Sequence, residues 1–325
     1  MSVKIALLGF GTVGKGTYQA LTENRDIIRQ KTGVEIEVAK ILEKNPAAIN
    51  CGLAPKIIFT QDYDSILNDP EIKIVAEMMG GIEPASTFML QALKAGKSVV
   101  TPNKAAVAAH YEKLHFEAKK NGVKLRYEAS VGGAIPIINA IQEALAANRI
   151  TKIQGIVNGT TNYILTMMDE EGLSYEDALS FAQEKGFAEK DPTADVEGID
   201  AANKLSILIA EAFGIYIKPE DIPRTGITQV SKNDLEQAKA NHQKIKLIAE
   251  AYLNEDGKLE CSVSPRYISD KSLLSRVKYE FNGITLSCNM ADDLLFYGRG
   301  AGMRPTGSAV AGDIIGIAKE LYRKN

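Results

Sequence analysis

Cysteine, histidine and long apolar runs are all scarce in this chain, and each scarcity closes off a class of function. Three cysteines, Cys51, Cys261 and Cys288, are scattered through 325 residues. That excludes a disulfide framework or a cysteine zinc site and reads as reduced thiols of a cytoplasmic protein. Three histidines give no basis for a histidine metal centre. No run approaches the ~20 apolar residues of a membrane span. The N-terminus enters a strand, Val3-Lys4-Ile5-Ala6-Leu7-Leu8, without the anatomy of a signal peptide. Neither sign of charge dominates: a net charge of −3 and a pI near 5.8 offer nothing to a nucleic-acid backbone. Internal repeats and low-complexity tracts are missing too.

What is present is an ordinary globular composition, 45% hydrophobic and 24% charged, with length for two domains. The first strand runs into Gly9-Phe10-Gly11-Thr12-Val13-Gly14, and a helical stretch follows to about Gln30. Glycines at these positions allow a tight turn and the close approach of backbone to a pyrophosphate, which then rests on the helix N-terminus. Strands are predicted at 34–42, 56–59, 72–76, 97–101 and 123–128, with helices near 62–68, 84–95 and 104–120. The alternation specifies an α/β fold, a Rossmann-type doubly wound parallel sheet that binds ligands at the carboxyl ends of its strands. At the end of the second strand Glu43 favours the ribose hydroxyl of NAD and Lys44 the extra phosphate of NADP, so the choice stays open. Lys104, in Thr101-Pro102-Asn103-Lys104, falls at a helix start on the ligand-facing edge, where the helix dipole disfavours a cation. A functional role accounts for it better than chance exposure. The turn Glu128 to Pro136 reads on composition as an interdomain connection, although inward carbonyls beside Glu128 could hold a hard cation.

The most unusual stretch is 155–204. It packs Glu189, Asp191, Asp195, Glu197 and Asp200 into twelve positions and closes on Lys204. Apolar residues from Val196 to Phe213 recur at helical spacing, so Asp200 and Lys204, four apart, share a face. A lysine beside acids is commonly a solvated ion pair. Here, however, several acids aim at one helix start that a single carboxylate would satisfy. The excess suits a cationic ligand group, an amine or a metal.

The remainder is expected to form an α+β domain with a mixed sheet, serving catalysis and dimerisation. A helix is predicted from Ala134 to about Ala147, a strand from Lys152 to Asn158, a helix at 234–254 and strands at 259–264, 276–281 and 284–290. Met167, Met168, Leu179 and Phe181 read as core, and Cys261 and Cys288 as strand thiols with burial as their default role. Gly298-Arg299-Gly300-Ala301-Gly302 precedes a helix from about Ala309 to Tyr322, a second loop of backbone donors that either returns to the cofactor or turns the chain. The domains are placed at 1–133, completed by the helix at 305–325, and at 134–304, with no room left for another.

Taken together, the segments at 9–16, 101–106, 128–138, 158–165, 186–205 and 298–306 resemble homoserine dehydrogenase over nearly the whole chain. The block from Asn158 to Leu205 is the specific part. The resemblance implies NAD(P)-dependent interconversion of L-homoserine and L-aspartate 4-semialdehyde, in threonine, methionine and isoleucine biosynthesis, by a cytoplasmic homodimer or homotetramer. It makes Lys204 the proton donor and acceptor and Lys104 a second catalytic lysine near the nicotinamide. It makes Glu189, Asp195 and Asp200 the acids that hold the substrate, with Gly159, Thr160 and Gly186 lining the pocket. Gly9 to Gly14, Lys44, Lys104 and Gly302 would contact NAD or NADP. A sodium ion would be held by carbonyls of Glu128, Val131, Gly133 and Ile135. Pro102 stands where the family commonly has a small residue, and Lys44 where it often has arginine. The regulatory C-terminal domain of many relatives is not expected here, nor threonine control through it. The competing readings are another amino-acid dehydrogenase on the same plan, or a nucleotide sensor without turnover.

Overall fold

A computed structural model describes residues 2–45 and 57–323; Cys51, Lys56 and the last two residues of the expected C-terminal helix lie outside them. The chain divides into two units, Met1–Ala134 with Gly302–Asn325, and Ile135–Ala301.

The first unit holds β1 (Ser2–Leu8), β2 (Glu35–Leu42), β3 (Ile58–Thr60), β4 (Ile72–Glu77), β5 (Ser98–Val100) and β6 (Leu125–Arg126). They pair in parallel in the order β3-β2-β1-β4-β5-β6, the doubly wound arrangement with its switch point beside β1. Alternation along β1 builds a core on each side of the sheet. Ile5 and Leu7 face one, with Leu21, Val310 and Ile314. Ala6 and Leu8 face the other, with Met89, Leu93 and Leu114. The helix Met303–Arg323 belongs to this unit because glycine lets it close on the helix Thr12–Glu23. A Cβ on Gly16 would overlap the Met303 carbonyl, and one on Gly307 would overlap the backbone of Gly16.

The second unit is built on β7 (Ile150–Ile156), β8 (Gln243–Leu253), β9 (Leu259–Ser269), β10 (Phe281–Cys288) and β11 (Asp292–Arg299), in the order β11-β10-β7-β8-β9. Where a mixed sheet was expected, every strand pair is antiparallel: β8–β9 and β10–β11 are hairpins, and hairpins can join only antiparallel neighbours. The helix predicted at 234–254 is a helix Lys232–Ala240 followed by β8. Its Lys-Leu-Ile-Ala-Glu-Ala run favours helix locally, but pairing to β7 and β9 overrides propensity. The strand predicted at 276–281 is the end of a 3-10 turn, Leu273–Arg276, and a loop that leads into β10 at Phe281, while β11 was not foreseen. The helix predicted from Ala134 is shorter, Ile137–Asn139 running into a π-helical turn at Ala140–Ala144. Helix 104–120 is broken at His110. Met168 is buried, but Phe181, expected in the core, is 42% exposed. Both strand cysteines fall on strands, Cys261 half-buried and Cys288 buried.

On β8 the ammonium of Lys246 is buried and donates to Asn162 Oδ1 (2.8 Å), Thr166 Oγ1 (3.3 Å) and the Val277 carbonyl (2.8 Å). Burial pushes this lysine down to about 7, with Lys244 adding to the effect and Asp169 and Glu170 opposing it. An unfolded lysine titrates near ~10.4. Between these values the unfolded chain holds the extra proton, so this group makes stability rise with pH from about 7 to 10. The urea midpoint of the wild type should therefore gain on that of Lys246→Met as pH is raised across this window. Parallel unfolding curves at pH 7 and pH 10 measure it, and an unchanged difference would contradict the buried, easily deprotonated amine.

Candidate functional site

The first unit carries a cavity of about 650 Å³ lined by Gly9, Phe10, Gly11, Glu43, Lys44 and Met79 among others. Its floor is the glycine turn. Gly9 has φ +92°, and a Cβ there would sit 2.9 Å from the Met78 carbonyl oxygen; a Cβ on Gly14 would overlap the Gly9 carbonyl. Only glycine permits the chain to turn this tightly and start a helix immediately. Gly11 caps that helix without a side chain, so its first amides are left for an anion. Thr12 and Val13 form its first turn. The Glu43 carboxylate accepts from the Phe10 amide (3.0 Å) and the Lys44 amide (2.8 Å), which holds it against the turn, while the Lys44 side chain is exposed.

At the end of β4, fully buried Glu77 accepts from Thr101 Oγ1 (2.6 Å) and the Met79 amide (2.7 Å). Burial pushes its carboxyl up against those hydrogen bonds. Sequence reasoning passed over this residue. It braces the turn that leads to Lys104, the first residue of the helix Lys104–Ala109, which Asn103 caps through the Ala106 amide (3.2 Å). Gly302 takes φ +124° just before the C-terminal helix, its carbonyl accepting from the Thr306 amide (3.0 Å). Glu128 and Val131 are buried around a 3-10 turn, Glu128–Ser130, followed by Gly132 and Gly133 at positive φ. Ile135 lies in the second unit, and its carbonyl accepts from the Ile137 amide (2.9 Å). Among the described residues, no group of three or more His, Cys, Asp and Glu could hold a metal ion.

In the second unit, β7 ends at Ile156 and the chain passes through Val157 and Asn158 into the helix Gly159–Glu171. A second helix, Ile199–Phe213, starts after Gly198 in the left-handed region. It buries Leu205 and Leu208 and places Asp200 and Lys204 on one face, 7% and 8% exposed. Lys204 Nζ donates to Asp200 Oδ2 (2.6 Å) and to the Val157 carbonyl (2.7 Å). Asn158 Nδ2 donates to the same Asp200 oxygen (2.9 Å) and to Asp195 Oδ1 (2.6 Å). Burial pushes the Asp195 carboxyl up; Asn158 and Lys204 oppose this and Asp200 adds to it.

Thr160 is buried and donates to the Phe187 carbonyl (2.6 Å), tying the helix start to the turn at Gly186, which is exposed with φ +73°. Gly159 is close-packed: a Cβ would lie 2.7 Å from the Glu280 carbonyl oxygen. The remaining acids of the run do not converge with these. Asp191 caps the Thr193 amide (3.1 Å), Glu197 accepts from Thr228 (3.2 Å), and Glu189 is exposed, its carbonyl taken by Gln183 (3.0 Å). Of the five acids expected at one helix start, Asp195 and Asp200 are brought together with the lysine.

Residues 9–128 match the family model described as the NAD-binding domain of homoserine dehydrogenase, and residues 136–315 match that of homoserine dehydrogenase itself. The chain belongs to the homoserine dehydrogenase family. It is 42% identical to the homoserine dehydrogenase of Corynebacterium glutamicum over 98% of its own length and 72% of that protein's. A crystal structure of a homoserine dehydrogenase from Thiobacillus denitrificans superposes with a TM-score of 0.95 at 39% identity, over 99% of this chain and 74% of that one. A hyperthermophilic archaeal homoserine dehydrogenase in complex with NADPH matches with a TM-score of 0.83 at 29% identity, over 98% of both chains. Homoserine dehydrogenases are NAD(P)-dependent oxidoreductases, and this chain is one by descent and fold.

The raised Asp195 carboxyl has a consequence for stability. The folded state binds its proton more tightly than the unfolded chain, so the stability of protonated Asp195 is lost as pH rises above the ordinary carboxylate value. Asp195→Asn, which keeps an oxygen for Asn158, should gain on the wild type between pH 4 and pH 7. Urea midpoints at those two pH values test this, and a constant difference would contradict it.

Proposed function

We propose that this chain interconverts L-homoserine and L-aspartate 4-semialdehyde, with Lys204 moving the proton. The observation that carries the reading is Lys204 itself, an amine buried to 8% exposure that donates to Asp200 and to a backbone carbonyl beside Asn158. A solvated ion pair would not sit there. In the oxidation direction the neutral amine takes the hydroxyl proton as the C–H hydride leaves the carbinol carbon. In reduction the ammonium protonates the oxygen that the arriving hydride leaves negative. Bound NAD(P) accepts or supplies that hydride. The glycine turn and its cavity fit such a cofactor, since a Cβ at Gly9 or Gly14 would fill the space the backbone needs.

Asp195, Asp200 and Glu189 are proposed to receive the substrate, its ammonium included, with Thr160 and the Gly159 and Gly186 turns shaping the pocket. Lys104 is proposed to act beside the nicotinamide, and Gly9 to Gly14, Lys44 and Gly302 to bind the cofactor. The NADPH in the archaeal relative and the exposed Lys44 support NADP; Glu43, held at the turn, supports NAD. Carbonyls of Glu128, Val131, Gly133 and Ile135 are proposed to hold sodium, a hard cation that prefers oxygen donors, which would brace the turn rather than enter the chemistry. Exposed Tyr267, Leu273, Met290 and Tyr297 on the second unit support pairing of subunits through it, as a homodimer or homotetramer. No helix of the described residues is long and apolar enough to cross a membrane, and the biosynthetic role proposed, toward threonine, methionine and isoleucine, is a cytoplasmic one.

Initial rates with homoserine against NAD and NADP in parallel test the reaction and rank the cofactors. Lys204→Ala should bind NADPH as the wild type does, by fluorescence titration, yet lose most turnover; near wild-type turnover would refute the assignment. Lys204→Arg should not recover it, because a guanidinium does not give up its proton. Because a lysine titrates near ~10.4 in water, oxidation should have an alkaline optimum while reduction runs well near neutrality. Identical pH profiles in both directions would count against the amine.

A further inference from the structure

The side-chain amide of Asn158 is engaged at both ends, and the two ends do different things. The carbonyl end, Oδ1, accepts from the Thr161 amide (2.8 Å) and the Thr161 hydroxyl (2.9 Å), the N-cap of the helix Gly159–Glu171. Aspartate, serine or threonine would cap as well. The NH2 end is different. One hydrogen goes to Asp195 Oδ1 at 2.6 Å and the other to Asp200 Oδ2 at 2.9 Å, with the side chain 4% exposed. Neither aspartate nor serine can donate two hydrogens, and capping does not call for any.

We propose that Asn158 is a positioning residue for proton transfer at Lys204: its amide joins two like-charged carboxylates and fixes the Asp200 oxygen on which the Lys204 amine rests. This inference depends on Lys204 being the group that moves the proton. Asp200 Oδ2 accepts from Asn158 and Lys204 together, so the amide determines where that oxygen stands. The preceding residue, Val157, supplies the other acceptor of Lys204 at 2.7 Å. Two consecutive residues between β7 and the helix Gly159–Glu171 therefore set both of these contacts of the amine. The ionisable groups that face Lys204 include Asp200 on its own helix and Asp195 on the short helix Thr193–Val196 before it. The β7 end faces it with the neutral Val157 carbonyl and Asn158 amide, and the helix Gly159–Glu171 begins with the neutral Thr160 and Thr161. Without the amide, the two carboxylates compete for the one ammonium. Asp200 then no longer holds the amine in a single place, and the anionic surroundings hold its proton more tightly.

Asn158→Asp separates this role from capping. It keeps the shape and the cap acceptor, removes both donated hydrogens and adds a third carboxylate. Asn158→Ser keeps a cap oxygen and adds no charge, and serves where the aspartate variant folds poorly. Both are measured alongside Lys204→Ala for thermal midpoint, NADPH binding, and kcat and KM for homoserine oxidation across pH. We expect Asn158→Asp to bind NADPH as the wild type does, to lose at least tenfold in kcat at pH 8, and to have the acid limb of its oxidation profile moved to higher pH. Asn158→Ser should lose kcat with the limb left nearer its wild-type position. A folded Asn158→Asp with wild-type kcat and an unmoved limb would overturn the inference, as would a loss in either variant confined to KM. The two readings fail separately. An active Lys204→Ala removes the lysine assignment, whereas an inactive Lys204→Ala beside a wild-type-like Asn158→Asp removes only the role of Asn158.

Discussion

The buried contact between Lys204 and Asp200 is the constraint around which the second unit is organised. An ion pair taken out of water recovers its desolvation cost only if the remaining donors and acceptors are met. Backbone and one amide contribute here: the Val157 carbonyl accepts from the amine, and Asn158 donates to the carboxylate. Removing a single partner from such a pair typically costs ~3–5 kcal/mol, so the geometry is held firmly. An amine fixed in this way has less rotamer freedom to lose when substrate arrives, which lowers the cost of reaching the reactive arrangement.

Each unit delivers its chemistry from strand ends, for different reasons. In the parallel sheet the carboxyl edge beside β1 is where the connections diverge, and the Gly9–Gly14 turn, Glu43 and Met79 meet around a cavity there. In the antiparallel unit, the central strand β7 leads through Val157 into a helix whose N-cap residue also reaches Asp200 on the helix Ile199–Phe213 and Asp195 on the short helix before it. The buried Lys246 ties that first helix to β8 and to the loop at Val277, giving the cap a rigid support.

The sequence was most legible where a residue type had few alternatives. Gly9 and Gly14 could be read because any side chain would strike the backbone. Lys204 and Asp200 could be read because helical spacing fixes a shared face. It was least legible where tertiary pairing decided the outcome. The residues of β8 are buried on both faces through much of the strand, so they lack the alternation that marks a strand, and their leucines and alanines favour helix. Asn158 escaped notice as part of the site because it read as the end of a strand; what marks it in the structure is contact with two acids 37 and 42 positions downstream. Glu189 shows the reverse: close in sequence to the others, it is on the surface while Asp195 and Asp200 turn inward.

The central claim is that the Lys204 amine carries the proton, and replacing that amine with a more acidic one tests it most directly. Lys204→Cys, made in a background with the other cysteines changed to serine and alkylated to the aminoethyl derivative, restores a primary amine at the same reach with a lower pKa. Our account predicts that turnover lost in the cysteine variant returns on alkylation, and that the acid limb of homoserine oxidation moves to lower pH than in the parent lysine enzyme. Turnover that returns with the limb unmoved would place the proton on another group and contradict the account.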